Sequence, residues 1–288
     1  MSDRTSYPVG VPCWVDLVQP DFEATTAFYG GLFGWTFDVR TPEGAPATYA
    51  YALLDGRPVG GLGTPPPDEV VPDGWTQYVH VASADDAAAA VERAGGAVLN
   101  PPADVGPSGR VVLCADPEGA RFGLWQAGTL AGAVAVNEPG TWSFSELHTA
   151  DRSRAEEFYG TVLGWEVVPL DLGDDGATIG FWALDGYGAH LAGQDPAAGH
   201  DGGDGGLDRY ADAVALVQDL GAEGEAAEPR WTVTFGVADA DAALARAVEL
   251  GATPLGPTID TTYTRMVTVR DPQGATLRLS QYRPPEPA

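Results

Sequence analysis

A carboxylate and an imidazole stand two residues apart at Glu146 and His148, within the apolar run WSFSELHT at 142–149. If this run is a β-strand, the two side chains share one face, with their backbones roughly 7 Å apart. A carboxylate beside an imidazole orients the ring and favours its protonated form, which is the arrangement that general acid–base chemistry needs. The alternative is a salt-bridged histidine with a structural role, and the spacing alone leaves both open.

The elements that must position this pair are found twice in the chain. The segments DFEATTAFYGGLFGWTF from Asp21 and DRSRAEEFYGTVLGWEV from Asp151 share Asp, Phe-Tyr-Gly and Gly-Trp at an offset of 130 residues. The Asp-Pro-x-Gly motifs at Asp116 and Asp271 are 155 residues apart. The second copy therefore carries about 26 extra residues, which we place at about 194–229.

Each copy divides again into two halves that predict the same order of elements: a strand, a helix and three strands. The first helix of each copy follows an Asp and ends at a Gly, as helix capping favours. The sequence therefore predicts an α+β protein of four βαβββ modules, with one domain at 8–126, a linker at 127–140 and a second domain at 141–283. In the insertion, a Gly-rich run predicts a mobile loop, and Tyr210, Val214, Val217 and Leu220 have the rough spacing of a short helix.

The composition excludes several partners. The net charge is −26 and the chain has no lysine, so nucleic acid and anionic membrane surfaces are not expected to bind. The same field attracts cationic ligands, or it serves only solubility. Cys13 and Cys114 predict buried free thiols, and the N-terminal MSDRTSYPVG lacks a signal core. We expect a cytoplasmic protein that is a monomer or a homodimer and binds a small molecule.

The FYGxxxGW and DPxG motifs, in their fourfold order, resemble modules of the glyoxalase/bleomycin resistance protein/dioxygenase (vicinal oxygen chelate) superfamily. The resemblance covers roughly 8–126 and 140–283. It implies that paired modules curl into a cup-shaped sheet that holds the ligand, and that this chain contains two such cups in tandem.

The resemblance also implies four metal-ligand positions in each cup, on the first and last strand of each module, where metal-dependent members place His, Gln or Glu. The residues that we assign to these positions are Trp14, Gly60, Val79 and Gly123 in copy one, and Phe144, His190, Phe235 and Arg278 in copy two. Only His190 is a metal-binding type. We therefore expect no cofactor and no family-type metal site. An unorthodox divalent-metal site on Glu146, His148 and His190 is the less favoured alternative.

The first cup is expected to be aromatic. Strand alternation directs Trp14 and Asp16 into it, together with Gln77 and Val79 from another strand and Trp125 from the last strand. Two indole faces and one carboxylate suit a flat, apolar guest, with or without a cationic group. Filling the barrel interior is the competing explanation for the tryptophans. By the same alternation His80 should face the core.

The second cup is expected to be more polar. Phe144, Glu146 and His148 should share its face, with His190 and Arg278 joining them from facing strands. Arg278 would hold a carboxylate or an enolate oxygen, or would pair with Glu146. The expected walls include Arg265, Tyr263, Trp182 and Tyr282.

Two functions fit these expectations. One is metal-independent sequestration of a small aromatic molecule, as in the bleomycin-resistance branch of the family. The alternative is an enzyme of secondary metabolism or detoxification (a lyase, isomerase or cofactor-free oxygenase) that uses Glu146, His148 and Arg278. A structural tandem without a ligand is a third possibility. The identity of the ligand cannot be read from this sequence.

Overall fold

The computed structural model describes residues 3–67, 69–71, 73–170, 179–194, 211–220 and 227–283. It confirms the α+β class and the four predicted modules. In copy one, module one contains β1 (Pro12–Val18), α1 (Phe22–Phe33), β2 (Thr36–Val39), β3 (Tyr49–Leu54) and β4 (Arg57–Gly63). Module two contains β5 (Thr76–His80), α2 (Ala84–Arg93), β6 (Ala97–Val105), β7 (Gly109–Ala115) and β8 (Arg121–Ala127).

Copy two repeats this order with two changes. Module three contains β9 (Trp142–Thr149), α3 (Arg152–Leu163), β10 (Glu166–Leu170), β11 (Ile179–Ala183), α4 (Tyr187–Gln194) and β12 (Ala213–Asp219). Module four contains β13 (Arg230–Gly236), α5 (Ala240–Glu249), β14 (Thr253–Pro254), β15 (Ile259–Asp260), β16 (Thr264–Arg270) and β17 (Thr276–Tyr282). The changes are the additional helix α4 and the splitting of one strand into β14 and β15.

The repeated motif residues set the helix boundaries. Asp21 caps α1 by accepting a hydrogen bond from the backbone N–H of Ala24, and Asp151 caps α3 in the same way through Arg154. The helices end at Gly34 and Gly164, whose φ angles of 75° and 74° lie in the left-handed region that glycine adopts without strain.

The strands form two sheets with matching orders. The first runs β2-β3-β4-β1-β5-β8-β7-β6, and the second runs β10-β11-β12-β9-β13-β17-β16-β14. β1 pairs with β4 in parallel, as β9 does with β12, whereas β3–β4 and β11–β12 are antiparallel. None of the described helices is long and apolar enough to cross a membrane.

The chain divides into two compact units, and each unit takes one module from each copy. One unit comprises Met1–Cys13, Gln77–Gly132 and Ser145–Trp231, and thus modules two and three. The other comprises Trp14–Thr76, Ala133–Phe144 and Thr232–Ala288, and thus modules one and four. The predicted domain boundaries, which follow the copies, stay a prediction.

The motif residues explain this pairing of modules. The hydroxyl of Tyr29 in module one donates to Asp271 of module four at 2.9 Å and accepts the indole N–H of Trp75 at 3.0 Å. In the other unit, the hydroxyl of Tyr159 donates to Asp116 at 3.0 Å and accepts from the indole of a tryptophan equivalent to Trp75 at 2.9 Å. Each FYG tyrosine therefore bonds to the DPxG aspartate of the other copy, inside a buried aromatic core.

The insertion is placed differently from the prediction. Residues 213–219, for which helical spacing suggested a helix, form strand β12, and residues 187–194 form helix α4 instead of a strand. The predicted mobile loop that follows Gln194 lies outside the described residues. The error arises because β12 is an apolar inner strand, and an apolar run shows no alternation that separates a strand from a helix.

Candidate functional site

Module one presents an aromatic surface on the side of its sheet opposite the helix. Across β3, β4 and β1, the register aligns Tyr51 with Gly61 and Asp16, and Tyr49 with Gly63 and Val18. Residues aligned in this way point to the same side of a sheet. We call these six residues, together with Trp14, the copy-one face. Its two tyrosines are half-buried, whereas the intervening Ala50 and Ala52 on the opposite side are fully buried.

A hydrogen-bonded chain crosses the copy-one face. The indole of Trp14 donates to the hydroxyl of Tyr49 at 2.9 Å, and this hydroxyl donates to the carboxyl group of Asp16 at 3.2 Å. Tyr49 reaches Asp16 only because Gly61 has no side chain: a Cβ there would lie 2.0 Å from the tyrosine hydroxyl. Burial, with Asp16 as a lesser cause, raises the pKa of Tyr49 well above its ordinary value, so the hydroxyl stays a donor.

Aromatic contacts hold the outer part of this face. The rings of Trp14 and Tyr51 meet edge to face with centroids 5.6 Å apart, and Tyr51 meets Tyr49 in the same way at 6.3 Å. The guanidinium of Arg40 lies 4.7 Å from the centre of the Tyr51 ring and is paired with Asp38 at 2.8 Å. The prediction that Trp14 and Asp16 share a face is consistent with this geometry. Tyr49 and Tyr51 were not predicted as site residues, although their alternation in TYAYAL indicates a shared strand face.

Module three carries the equivalent surface in the other compact unit. Across β11, β12 and β9, the register aligns Phe181 with Leu216 and Glu146, and Gln218 with His148. Ile179 completes the second row beside Gln218. We call these six residues the copy-two face. Glu146 and His148 do lie side by side as predicted, with His148 Nε2 3.8 Å from Glu146 Oε1 and both side chains buried.

The predicted contribution of β5 to the first cup is wrong. The register pairs Tyr78 with Gly123 and His80 with Trp125, so these four residues share one side of the sheet. Gln77 and Val79 therefore point to the opposite, core side, where Val79 pairs with Leu124. The physical reason is the register: α2 is capped by Ser83, and the residue seven positions before this cap is Thr76, three positions from Val79. Because three is an odd number, the assignment exchanged the two faces of the strand. His80, predicted to face the core, faces the other side.

Gln77 and Trp125 have environments that indicate packing roles. Gln77 is fully buried, and its amide makes no hydrogen bond to any residue that the structure describes. The indole of Trp125 donates to the backbone carbonyl of Leu130 at 2.9 Å and packs against Gly109. The linker segment thus satisfies the polar atom of Trp125.

Two further predicted ligand residues are misplaced. Arg265 shares a side with the core residues of β16 and forms ion pairs with Asp241 at the start of α5 and with Asp260. Arg110 of copy one makes the same paired contacts, which identifies this arrangement as structural. His190 lies on α4, where its ring is 2.9 Å from the side-chain amide of Gln194, and not on the strand next to Glu146. The suggested wall residue Trp182 lies in the aromatic core against Tyr159.

Arg278 and Phe144 occupy the sides predicted for them. Arg278 on β17 aligns with Thr234 and Thr268, away from the core residues Leu277 and Leu279, and is half-buried. Phe144 is half-buried on β9. Arg278 belongs to the compact unit of modules one and four, whereas Glu146 and His148 belong to the other unit.

The structure corrects the metal-ligand positions without supplying ligands. Gly61 aligns with Asp16, and Leu216 aligns with Glu146. Gly61 and Leu216 therefore take the ligand positions that we assigned to Gly60 and His190. Seven residues before the caps of α2 and α5 lie Thr76 and Thr232, which take the ligand positions that we assigned to Val79 and Phe235. The eight positions hold Trp14, Gly61, Thr76, Gly123, Phe144, Leu216, Thr232 and Arg278.

This set does not fit a family-type metal, because divalent metals take imidazole, carboxylate, thiolate or amide ligands and none of the eight residues carries one. The described part of the chain also contains no group of three or more His, Cys, Asp or Glu residues arranged to hold an ion. Glu146, His148 and His190 therefore do not form the alternative site suggested by the sequence. Independence from cofactors stays a prediction.

Comparisons with known proteins define the class. Residues 13–124 match the family model of the Glyoxalase/Bleomycin resistance protein/Dioxygenase superfamily, and residues 145–280 match the model of the Glyoxalase-like domain. The fold is similar to the 2,3-dioxygenase LapB of Pseudomonas sp. KL28, with a TM-score of 0.58, 15% identity and coverage of 97% of this chain and 96% of that one. It is also similar to the Mn(II)-bound glyoxalase of Novosphingobium aromaticivorans, with a TM-score of 0.57, 19% identity and coverage of 95% and 82%.

A relative of nearly the same length is more similar in sequence. The chain is 34% identical over 297 residues to the anthracycline biosynthesis protein DauV of Streptomyces sp. (strain C5), covering 99% of this chain and 98% of that protein. This chain therefore belongs to the glyoxalase/bleomycin resistance protein/dioxygenase superfamily, as a tandem member with two copies of the domain.

Proposed function

We propose that this protein binds a flat, fused-ring aromatic small molecule on the copy-one face and that binding requires no metal. The observation that carries the proposal is the chain of hydrogen bonds from Trp14 through Tyr49 to Asp16, which lies against Gly61 on the side of the sheet opposite helix α1. Small-molecule sites typically combine aromatic walls with a few fixed polar groups, and this face has both.

The arrangement supplies contacts suited to such a ligand. The half-buried rings of Tyr49 and Tyr51 offer apolar surface, and the ring of Tyr49 lies against Gly61 and Gly63, where the absence of side chains gives it room. Asp16 offers a carboxyl group fixed by the hydroxyl of Tyr49. A ligand with an amino group would gain from this carboxyl group and from the net charge of −26.

The relative DauV supports the aromatic class of ligand. Its name places it in anthracycline biosynthesis, and anthracyclines are fused-ring aromatic compounds. The match spans both copies, so the face described for module one lies within the aligned region.

The test is calorimetric titration of the purified chain with an anthracycline and with its sugar-free aglycone, each with and without EDTA. We expect saturable binding that EDTA leaves unchanged. Tyr51→Ala should raise Kd roughly 2- to 13-fold, because one aromatic contact contributes about 0.5–1.5 kcal/mol beyond area burial. Asp16→Asn should weaken the amino-sugar compound more than the aglycone.

Two variants serve as controls. Glu146→Gln alters the equivalent carboxylate of copy two, and Tyr282→Ala removes an exposed tyrosine outside the face. Both should bind as the unmodified chain does. Loss of binding on addition of EDTA, or unchanged binding by both Tyr51→Ala and Asp16→Asn, would refute the proposal. The alternative function, an enzyme, depends on the copy-two face and stays a separate prediction.

A further inference from the structure

The copy-two face differs from the copy-one face in a chemically specific way. Where copy one has Val18 and Gly63, copy two has His148 and Gln218, aligned in the same register positions. The imidazole of His148 is 1% exposed and lies 3.8 Å from the carboxylate of Glu146, which is 4% exposed. Copy one retains a carboxyl group at the position of Glu146 but has no titratable partner two residues later.

The architecture accepts an apolar residue at the position of His148. The opposite side of the same strands is apolar and fully buried, with Leu147 on β9 and Val217 on β12. The equivalent valine in copy one shows that an apolar residue fits the position of His148 in this architecture. Because burying an imidazole beside a carboxylate costs free energy, a histidine at a position that accepts valine points to a chemical role for the pair.

The neighbours of the pair define a half-open apolar surface. Phe181, Leu216 and Ile179 lie in the adjacent strands on the same side, and each is half-buried. Strands are about 4.8 Å apart, so a flat ring resting on Leu216 and Phe181 would bring its edge within a few ångströms of Glu146. The half-buried amide of Gln218 lies next to His148 and can donate a hydrogen bond to a substrate oxygen.

We infer that the copy-two face is a metal-independent proton-transfer site for enolisable aromatic ketones. One member of the Glu146–His148 pair removes a proton from a carbon next to the carbonyl group, so that a C–H bond breaks and an N–H or O–H bond forms. The electron pair moves to the carbonyl oxygen, where the amide of Gln218 stabilises the enolate. Return of the proton to the oxygen or to another carbon gives an isomer, and no oxidant or reductant is consumed.

This inference is independent of the proposed binding function, because the two faces belong to different compact units and share no residue. A fused-ring ketone suits the apolar neighbours, and an enolisable C–H is the simplest group on which a carboxylate–imidazole pair acts. Glu146, His148 and Gln218 are the proposed catalytic residues, because each would contact the substrate.

The experiment uses 2-tetralone, a fused-ring ketone with exchangeable C–H groups next to its carbonyl. The purified chain is incubated with it in buffered D₂O, and NMR follows the loss of the C1 proton signals while mass spectrometry follows deuterium gain. We expect catalysed, saturable exchange above the buffer rate. His148→Gln and Glu146→Gln should each lower the rate about a hundredfold, within the usual contribution of acid–base catalysis.

Matched variants separate this role from folding. His148→Val installs the residue of copy one and should fold as well as the unmodified chain, checked by circular dichroism and melting temperature, while losing exchange. His80→Gln, which changes a histidine of β5 outside the copy-two face, should exchange at the unmodified rate. Exchange no faster than in buffer, or full activity in His148→Val, would overturn the inference.

Discussion

Replacing Tyr29 with Phe should destabilise the protein by about 2.5–4.5 kcal/mol. The hydroxyl of Tyr29 is fully buried, donates to Asp271 at 2.9 Å and accepts from Trp75 at 3.0 Å. Its removal forfeits one hydrogen bond to a carboxylate, about 1.5 kcal/mol, and leaves a buried indole N–H without this acceptor, at about 1–3 kcal/mol. The side-chain amide of Gln19 still donates to Asp271 at 2.8 Å, which places the cost toward the lower end of the range.

The assay is urea denaturation followed by tryptophan fluorescence, with the free energy of unfolding taken from the midpoint and slope. Tyr159→Phe removes the equivalent hydroxyl in the other unit, so the double variant should show the sum of the two costs within about 0.5 kcal/mol. Tyr263→Phe changes an exposed ring and should change the free energy by less than about 0.5 kcal/mol. If Tyr29→Phe were no more destabilising than this control, the hydroxyl would not hold modules one and four together and the reasoning would fail.

Three further outcomes follow from buried polar groups. Gln77→Val installs the residue found at the equivalent position 233 and should raise the free energy of unfolding by about 1–3 kcal/mol in the same urea assay. The reason is that an apolar group replaces a buried amide that has no hydrogen-bond partner among the described residues, and a loss of stability would contradict this. Burial raises the pKa of the Cys114 thiol to about 12 and that of the Cys13 thiol further. A thiol reagent at pH 8 should therefore modify neither cysteine in the folded protein and both cysteines once urea unfolds the chain. Rapid labelling of the native protein would contradict this prediction. Burial also raises the pKa of Tyr29 and Tyr159 well above 10. The contribution of these hydroxyls to stability is therefore complete below the unfolded-state pKa near 10 and is lost as the pH rises above it. Melting temperatures measured from pH 8 to 11 should stay level and then fall, and a fall that begins below pH 9 would have another cause.

The fold could be predicted because its signals are local and repeated. The capping Asp, the C-terminal Gly and the FYG motif each act within one helix, and their recurrence shows four modules even where a single motif is weak. The partner of each FYG tyrosine could not be predicted in the same way. The bond from Tyr29 to Asp271 joins residues 242 positions apart, and no local pattern selects this aspartate over Asp116 of the same copy.

The site was predicted in part, and the errors have physical causes. Trp14, Asp16, Glu146 and His148 lie as expected because alternation along one strand needs only the strand itself. The faces of Gln77 and His80 were exchanged because the assignment on β5 was three residues off, and a register error of an odd number of residues moves every side chain of a strand to the other side. His190 was misplaced because the insertion precedes β12, and a strand on the far side of an insertion cannot be aligned from spacing.

The bonds between motif residues of different copies affect how the two halves of the chain depend on each other. Each copy contributes one tyrosine and one aspartate to bonds that only the other copy completes, as two subunits of a dimer would. If the chain were cut between the two copies, the two pieces would have to associate before either core could form. The rate of that association would depend on the concentration of the pieces. The linker holds the halves at an effective concentration of about a millimolar, so the fused protein completes both cores however dilute it is in the cell.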